Sequence, residues 1–425
     1  MTLKHNMVRL LVKGGAISPS LLLDILKIAK RAGNKGISFG SRQDIIFHLP
    51  STHPERTLKE LDELHIDFLV SKGNVSRRQN IVSSFAASDI FQNTHWLKSE
   101  HYLNILGQFS FPHLLRINIS DPRQSLVPLF YGFINFVASE HENFWYLFLR
   151  LPFNHELKRW PVLVNSNDIS VLSKAIECTW LNKHDIDLES LFESITENGN
   201  YTTKTIDSAL SDTFHLAPDY EGFGRMHSSD KYWAGFYWRN NLYDIDFMEE
   251  MCELCLKTGI STLAITPWKS FIVKEIHEKN LIHWKALDGR YGITMRHSAF
   301  ELNWHLPLAN DSALKLKKYI VKKFDKQDVC VHGLTFGITT GYDLPFCSIM
   351  ITEKPLPSYM KWLTFLRKYD IDLADRFDPN SCKYHNFITG CSHYRLPELL
   401  ARATRLFYND FIPEIDPDEH MVTGA

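Results

Sequence analysis

The stretch GISFGSRQDIIFHLP, residues 36–50, decides how the rest of the sequence is interpreted. Two runs of β-branched and aromatic residues, 37–39 and 45–47, are typical of strands. The segment between them is polar and reads Ser41, Arg42, Gln43 and Asp44. Gly40 is the only residue there that is typical of a turn, so the pattern predicts a strand that is interrupted by an arginine.

A helix with clear end signals precedes this strand pair. Ser18 is a favoured N-cap, Pro19 suits the first helical position and Gly33 suits the C-cap. Apolar residues recur between these signals at helical spacing, at Leu22, Ile25, Leu26, Ile28 and Ala29. The pattern therefore predicts an amphipathic helix, the two strands and a second helix near residues 54–64.

The same order of signals returns at an offset of 226 residues. Asp244 takes the place of the N-cap, Gly259 takes the place of the C-cap, and the strand sequence STLAITPWKSFIV, residues 261–273, follows. A shared helix, cap and strand at one offset indicates an internal repeat. Under this offset Arg42 corresponds to Trp268, so both copies break their strand with a bulky or cationic side chain. We expect these positions to face something bound between the two halves.

Composition and charge restrict the class of protein. The chain has 425 residues, of which 44% are hydrophobic and 23% charged, which is typical of a globular protein with several domains. Its net charge of -2 provides no global field for nucleic acid or an acidic membrane, so neither is expected as a partner. The N-terminus lacks the apolar run of a signal peptide, and the pattern predicts a cytoplasmic protein.

Four segments of sequence resemble one family. GGAISPSLLLDILKIAKRAG, residues 14–33, and GSRQDIIFH, residues 40–48, are similar to the helix and the Thr-Thr-Arg-Gln strand of sirohaem-dependent nitrite and sulfite reductases. RRQNIVSS, residues 77–84, and FPHLLRINIS, residues 111–120, resemble the family's Arg-Asn-Ile-Val segment and its Leu-Pro-Arg-Lys-Phe-Lys strand. The resemblance implies an α+β fold of two ferredoxin-like half-repeats and two nitrite/sulfite reductase-type α+β repeats in a pseudo-twofold arrangement.

The repeat and the resemblance together predict the domain organisation. Residues 13–70 and 239–292 are expected to superpose as the two half-repeats. The predicted domains are a half-repeat at 1–72, an α+β repeat at 73–200, a linker and second half-repeat at 201–292, a second α+β repeat at 293–410 and an acidic tail at 411–425.

The resemblance also implies a binding site for anions. Sirohaem carries eight carboxylates and the family's substrates are small oxyanions, so fixed guanidinium groups in a partly dry cavity are required. The residues at the matching positions are Arg42, Gln43, Arg77, Arg78, Asn80 and Arg116. Any one of these arginines could instead extend to solvent from a strand end. No catalytic residue and no metal ligand is assigned.

The cysteines depart from the family pattern. In the family a C-x5-C pair and a C-x3-C pair in the second α+β repeat hold an iron-sulfur cluster. This sequence offers there only Cys330, Cys347, Cys382 and Cys391, which are 17, 35 and 9 residues apart. Because cluster sites nearly always include a close pair, a standard 4Fe-4S cluster is not expected. Sirohaem remains possible as a cofactor.

Two further features admit either a chemical or a structural interpretation. Cys252 and Cys255 form a C-x-x-C motif, which is half of a zinc or redox site or, on this helix face, part of the core. His297 and His305 flank the segment without cysteines and could serve as axial haem ligands or as ordinary core or surface residues.

The sequence leaves three functions open. The first is a divergent nitrite/sulfite reductase-like oxidoreductase that binds sirohaem or a small oxyanion and takes electrons from a small electron-carrier protein. The second is a non-catalytic scaffold or ligand-binding descendant of the fold, and the third is an accessory subunit of a true reductase. The missing cysteine pairs and the change to Leu114 in the segment FPHLLR argue against six-electron reduction.

Overall fold

The computed structural model describes residues 7–70, 78–91, 93–150, 156–183, 186–210, 216–227, 229–293, 301, 303–307, 310–339, 346–354, 367–381 and 383–410. By its internal contacts the chain divides into two units, residues 1–298 and residues 299–425. No helix within these described ranges is both long and apolar enough to span a bilayer.

The first unit begins with a half-repeat of five strands and two helices. Its elements are β1 (Met7–Leu10), β2 (Ala16–Ile17), α1 (Pro19–Arg31), β3 (Gly36–Phe39), β4 (Ile45–His48), α2 (Pro54–Glu63) and β5 (Phe68–Val70). The predicted helix is confirmed: the Ser18 side chain accepts a hydrogen bond from the backbone N–H of Leu21 at 3.2 Å, and Pro19 opens the helix. Gly33 follows it with φ 86°, the left-handed conformation that favours glycine.

An α+β repeat follows in the same unit. Its elements are β6 (Ile81–Ser83), α3 (Ser99–Gly107), β7 (Ile117–Ser120), β8 (Ile134–Ala138), β9 (Phe144–Arg150), β10 (Leu157–Arg159), β11 (Val162–Asn165), α4 (Ile169–Asn182), α5 (Leu188–Asn198) and β12 (Thr203–Thr205). The sheet order is β12-β11-β9-β8-β7-β6, with β10 beside β9. Strands β6, β7 and β8 run parallel, and β9 returns antiparallel to β8.

The second half-repeat completes the unit. Its elements are β13 (Gly222–Arg225), β14 (Tyr232–Tyr237), β15 (Tyr243–Asp244), α6 (Ile245–Thr258), β16 (Leu263–Ile265), β17 (Ser270–Ile276) and α7 (Leu281–Tyr291). The two half-repeats exchange a short strand: β15 pairs with β3 of the first half, and β2 pairs with β16 of the second. The resulting sheets, β15-β3-β4-β1-β5 and β2-β16-β17-β14-β13, correspond in their first four strands at the 226-residue offset, which supports the repeat. The fifth strands differ, because β5 follows the second helix of its half-repeat whereas β13 precedes β14.

The helix faces of the two half-repeats form one hydrophobic core. Leu26 and Ala29 of α1 and Cys252 and Cys255 of α6 are all fully buried in it. A single half-repeat leaves this apolar face uncovered, because a sheet with helices on one side needs a second layer to exclude water. The pairing therefore buries the faces that the sequence pattern predicts, and the pseudo-twofold relation of the half-repeats follows from it.

The arginine that interrupts the strand pattern lies in a β-hairpin turn. Gly40 N–H donates to the carbonyl of Asp44 at 2.9 Å, and Gln43 N–H donates to the carbonyl of Gly40 at 3.0 Å. Gln43 has φ 61°, so a non-glycine residue supplies the left-handed position that this turn requires. The sequence-based interpretation of one interrupted strand is thus corrected, because glutamine carries no signature of positive φ.

The second half-repeat contains the same turn at the same offset. Thr266 N–H donates to the carbonyl of Ser270 at 2.9 Å, and Lys269 N–H donates to the carbonyl of Thr266 at 3.3 Å. Lys269 has φ 60°, as Gln43 has φ 61°. A strained residue at equivalent positions of both copies shows that the repeat extends to the backbone conformation of the loop.

The second unit is a smaller α+β sheet structure. Its elements are β18 (Trp304–His305), α8 (Asp311–Asp325), β19 (Phe336–Thr339), β20 (Ile349–Glu353), β21 (Lys368–Ala374), β22 (Tyr384–Ser392) and α9 (Leu396–Asp410). The sheet order is β18-β19-β20-β21-β22, with the first three strands parallel and the others antiparallel. This succession repeats the one of β6, β7, β8 and β9 in the first unit.

Candidate functional site

The hairpin loop of the first half-repeat is attached to the α+β repeat of the same unit through Arg42. Its Nε and Nη2 donate to the carbonyl of Asn80 at 3.2 and 2.6 Å, and Nη2 also donates to the carbonyl of Ile117 at 3.0 Å. Nη1 donates to Oδ1 of Asn118 at 3.2 Å. Four of the five guanidinium N–H groups are therefore engaged, and one on Nη1 is left without a partner among the described residues.

Gln43, the next residue of the loop, is buried and links three segments. Its Nε2 donates to the carbonyls of Ser83 at 3.0 Å and Ile265 at 2.8 Å, and its Oε1 accepts from the N–H of Ser83 at 2.9 Å. Ser83 belongs to the α+β repeat and Ile265 to the second half-repeat. One glutamine side chain thus joins both half-repeats and the α+β repeat.

Asn80 supports the same junction from the other side. Its Nδ2 donates to the carbonyls of Val12 at 2.7 Å and Arg42 at 2.8 Å. Gly15 lies in the junction with φ 72°, and a Cβ there would come within 2.5 Å of the carbonyl oxygen of Ile265. The Gly-Gly sequence before α1 is therefore required for close approach of the backbone.

The corresponding loop of the second half-repeat is attached to the same α+β repeat. Trp268, which replaces Arg42 at the offset, is buried, and its Nε1 donates to the carbonyl of Leu126 at 2.9 Å. Both loops that the repeat pattern marks therefore contact one α+β repeat, one through a guanidinium and the other through an indole.

Three charged side chains act on the guanidinium of Arg42. Burial lowers the pKa of Arg42 to about 9, and the positive charges of Arg116 and Arg9 lower it further, while Asp44 opposes them. Asp44 is buried beside Arg9, whose Nε and Nη2 lie 2.7 and 2.5 Å from its Oδ2. One carboxylate thus faces three guanidinium groups, and we call Arg9, Arg42, Asp44 and Arg116 the arginine cluster.

The predicted site residues differ in where the structure places them. Arg42 and Asn80 hydrogen-bond each other, and Gln43 is the next residue of the same loop. Arg116 lies close enough to affect the pKa of Arg42. Arg78 pairs instead with Asp67, with Nη1 3.3 Å from Oδ1, and its side chain is 42% exposed. Arg77 lies outside the described residues.

His113 is a feature of this region that the sequence reasoning did not assign to a site. It is 3% exposed, and neither ring nitrogen has a hydrogen-bond partner among the residues that the structure describes. Its ring lies 5.0 Å from the ring of Phe109 and 4.4 Å from that of Phe111. Burial, and then the charge of Lys13, lowers the pKa of His113 to about 4, so the imidazole is neutral at neutral pH. Its position in FPHLLR was the only sequence signal.

Lys274 is a second buried titratable group, and no sequence signal marked it. Its Nζ donates to the carbonyl of Phe85 at 2.7 Å and to the hydroxyls of Ser88 at 3.0 Å and Ser99 at 2.8 Å. The ammonium also lies 3.8 Å from the centre of the Phe85 ring. Burial lowers the pKa of Lys274 to about 7 although Asp89 and Glu275 raise it.

The described cysteines are free thiols. Cys252 and Cys255 lie in the core, and burial raises the pKa of both, which is the behaviour of packing residues and not of reactive thiolates. Cys347 and Cys391 are buried and Cys330 is exposed. Cys382 and His297 lie outside the described residues, and His305 is buried in the second unit. Within the described part of the chain, no three His, Cys, Asp or Glu residues are grouped as metal ligands.

Comparison with known proteins supports the family assignment made from the sequence. Residues 2–64 match the family model described as the nitrite/sulfite reductase ferredoxin-like half domain. The chain is similar in structure to the NirA protein of Mycobacterium tuberculosis, with a TM-score of 0.71 and 12% identity over 99% of this chain and 84% of that one. No match is found by sequence among curated proteins. The predicted resemblance to the nitrite/sulfite reductase family and the predicted repeat-type α+β fold are thereby confirmed.

Sirohaem, which this family implies, can be tested against the donors on these side chains. Most N–H groups of Arg42, and the amides of Gln43 and Asn80, donate to protein oxygens. One N–H of Arg42 remains available to a ligand among the described residues, and the positive charge of Arg42 lies near that of Arg116. These groups fit one anionic group, such as a single carboxylate or a small oxyanion, better than the eight carboxylates of the macrocycle.

Proposed function

We propose that this nitrite/sulfite reductase-like protein binds a small oxyanion, or one carboxylate of a tetrapyrrole such as sirohaem, at the arginine cluster. The ligand would lie against the free N–H of Arg42 and the guanidinium of Arg116. The resemblance to nitrite and sulfite reductases supports an oxidoreductase as the class of the protein, and the proposal concerns the ligand.

The observation that carries the proposal is the proximity of a second positive charge to the guanidinium of Arg42. Arg42 is partly buried beside a second guanidinium, and burial together with this repulsion lowers its pKa to about 9. Asp44 is already paired with Arg9, and both side-chain contacts of that pair are 2.7 Å or shorter. An added anion would relieve the repulsion, because opposite charge in a partly dry site stabilises the charged form.

The protein groups have distinct tasks in this proposal. The carbonyls of Asn80 and Ile117 hold the guanidinium of Arg42 in one orientation, so little conformational entropy would be lost when the anion binds. Arg42 would supply charge and one hydrogen bond, and Arg116 would supply further charge. An electron donor, for which a small electron-carrier protein is our proposal, would be required for any reduction of the bound anion.

A specific observation favours the second candidate, a scaffold or accessory subunit. Gln43 and Asn80 use their amides to hold the junction between the half-repeats and the α+β repeat. These two residues would then have been retained for folding and not for a cofactor. The two candidates make different predictions for ligand binding, which is therefore the experiment of choice.

The test is isothermal titration of the purified protein with sulfite and with nitrite, together with the visible absorption spectrum of protein made in cells that synthesise sirohaem. Replacing Arg116 by Gln removes one of the charges, and loss of a charge-assisted hydrogen bond costs about 1.5–3 kcal/mol, so affinity should fall at least about tenfold. Arg123→Gln is the matched control, because Arg123 pairs with Glu140 at 2.9 Å on the exposed side of the same repeat.

Each outcome separates the candidates. Sulfite or nitrite binding that weakens in Arg116→Gln and not in Arg123→Gln supports the arginine cluster as an oxyanion site. A sirohaem spectrum that is lost in the same variant supports the tetrapyrrole carboxylate. If the protein binds neither oxyanion and shows no sirohaem spectrum, or if the two variants bind equally, the scaffold remains as the function.

A further inference from the structure

Helix α8 of the second unit presents a row of lysines to solvent. The five exposed lysines on the helix and at its C-terminal end are Lys315, Lys318, Lys322, Lys323 and Lys326. Apart from the adjacent Lys322 and Lys323, they are three or four residues apart, which puts them on one broad side of the helix. From Lys315 to Lys326 the row extends over about 16 Å at the helical rise per residue. We call these five residues the lysine row.

The opposite side of α8 is fixed in the core of the unit. Leu316, Ile320 and Phe324 are buried there. Lys317, the lysine on this side, is also buried and lies 3.2 Å from Oε2 of Glu301. Because the apolar face is occupied, α8 cannot insert it into a bilayer as an interfacial amphipathic helix does.

The charge of the lysine row exceeds the acidic charge of its own helix. None of its five members has an ion-pair partner within the ranges that the structure describes. The exposed acidic residues of α8 are Asp311 and Asp325, at its two ends. Five positive charges against two negative ones leave a net positive surface on a chain whose net charge is -2.

Aromatic side chains lie beside the lysine row. Tyr319, which the helix places between the lysines, stacks on His393 with ring centres 4.3 Å apart and planes at 20°. Tyr394 packs edge-on against His393 at 5.9 Å, and it is 70% exposed, the highest value among the exposed large hydrophobic residues of the described chain. Exposed tyrosines are enriched at protein interfaces, and the lysines around Tyr394 supply the charge that steers an anionic partner.

We propose that the lysine row, with Tyr394 at its edge, is a docking surface for the acidic face of a partner protein. Charge complementarity selects an anionic partner. The row contains lysines and no arginine, and lysine gives point charges without the bidentate geometry that favours phosphate groups. Such point charges attract carboxylates and phosphates alike, so the choice of partner rests on the exposed tyrosine, whose apolar area packs against a protein surface and is not used by phosphates.

The test measures binding of two fluorescent acidic polypeptides, poly-glutamate and a glutamate–tyrosine copolymer, to the full chain at low salt. The double variant Lys318→Gln, Lys322→Gln should bind both at least tenfold more weakly. The matched control is Lys59→Gln, Lys285→Gln, which removes two exposed lysines from helices of the first unit. The control should bind as the unaltered protein does, and added salt should weaken binding to the unaltered protein, as expected for steering by charge.

A second variant separates docking from general attraction of charge. The copolymer should bind more tightly than poly-glutamate, and Tyr394→Ala should remove that difference while leaving poly-glutamate binding unchanged. The sequence ends with four carboxylates, at Glu414, Asp416, Asp418 and Glu419. The measurements are therefore repeated with these four changed to Gln or Asn, and dependence on the lysine row is expected in both backgrounds.

Three results would overturn the proposal. The first is equal binding by the lysine variant and its control. The second is tighter, lysine-dependent binding of duplex DNA, and the third is tighter, lysine-dependent binding of vesicles that contain phosphatidylserine. The last two would assign the surface to nucleic acid or to a membrane instead of a protein.

Discussion

Replacing Gln43 by Ala should strongly destabilise the first unit. The amide of Gln43 makes three hydrogen bonds to backbone groups, with the carbonyl and N–H of Ser83 and the carbonyl of Ile265. Gln43 is 0% exposed, so water cannot easily replace its amide. The substitution therefore leaves three polar backbone groups of two other segments without partners.

The expected loss follows from these three groups. A buried donor or acceptor without a partner costs about 1–3 kcal/mol, so the three together should cost at least about 3 kcal/mol. Alanine at this position also keeps the left-handed backbone at φ 61°. Because that conformation costs a residue with a Cβ about 1 kcal/mol, Gln43→Gly should be less destabilising than Gln43→Ala by about that amount.

Urea unfolding followed by tryptophan fluorescence and by circular dichroism measures both values. A chain with two units need not unfold in one step, so the transition of the first unit is identified by the change in its midpoint at constant slope. A loss below about 1 kcal/mol in Gln43→Ala would refute the view that this side chain holds the junction. Equal stability of the alanine and glycine variants would refute the strain at the loop.

Three further predictions concern titration and metal content. Burial raises the pKa of Asp288 to about 7, and neither carboxylate oxygen has a hydrogen-bond partner in the described part of the chain. The folded state therefore holds the proton and loses stability as pH rises from about 4 to 7. Asp288→Asn should therefore be more stable than the unaltered protein by about 2 kcal/mol at about pH 8 and little changed at about pH 4 in urea unfolding, and equal differences at both would contradict this. Burial lowers the pKa of Lys274 to about 7, so above that pH the unfolded chain binds more protons than the folded chain. The free energy of unfolding should therefore rise with pH, by up to about 1.4 kcal/mol per pH unit, until about pH 10. Lys274→Met should lack this rise, and an unchanged slope would show that the ammonium is not held as described. Iron and acid-labile sulfide should each lie far below four per chain, because the spacing of the cysteines does not suit a 4Fe-4S cluster. Values near four would contradict this and would make Cys330, Cys347, Cys382 and Cys391 the residues to mutate.

The sequence predicted α1, α2 and the strand segments β3 and β4 of the first half-repeat because their signals are local. The N-cap at Ser18, the C-cap at Gly33 and the apolar spacing between them each act within a few residues. The repeat followed from their return at one offset. The exchange of β2 and β15 between the halves was not predictable, because a strand of two residues has no periodicity and its partner lies in another part of the chain.

The site was predicted less completely than the fold. The resemblance selected Arg42 and Arg116, whose charges the structure brings near each other. It could not show that the carbonyls of Asn80 and Ile117 take most donors of Arg42, because any residue type has a carbonyl. The neutral state of His113 was equally hidden, since it results from burial that depends on tertiary packing.

The central claim is that the arginine cluster binds an anion, and a crystal soaked in selenite tests it most directly. Selenite has the shape and charge of sulfite, and its selenium is located by anomalous scattering. We predict a peak about 3–4 Å from Nη1 of Arg42 and from the guanidinium of Arg116, the distance of a hydrogen-bonded oxyanion, and we predict its loss in Arg116→Gln. Peaks only at other positions, or a peak at the cluster that persists in this variant, would contradict the claim.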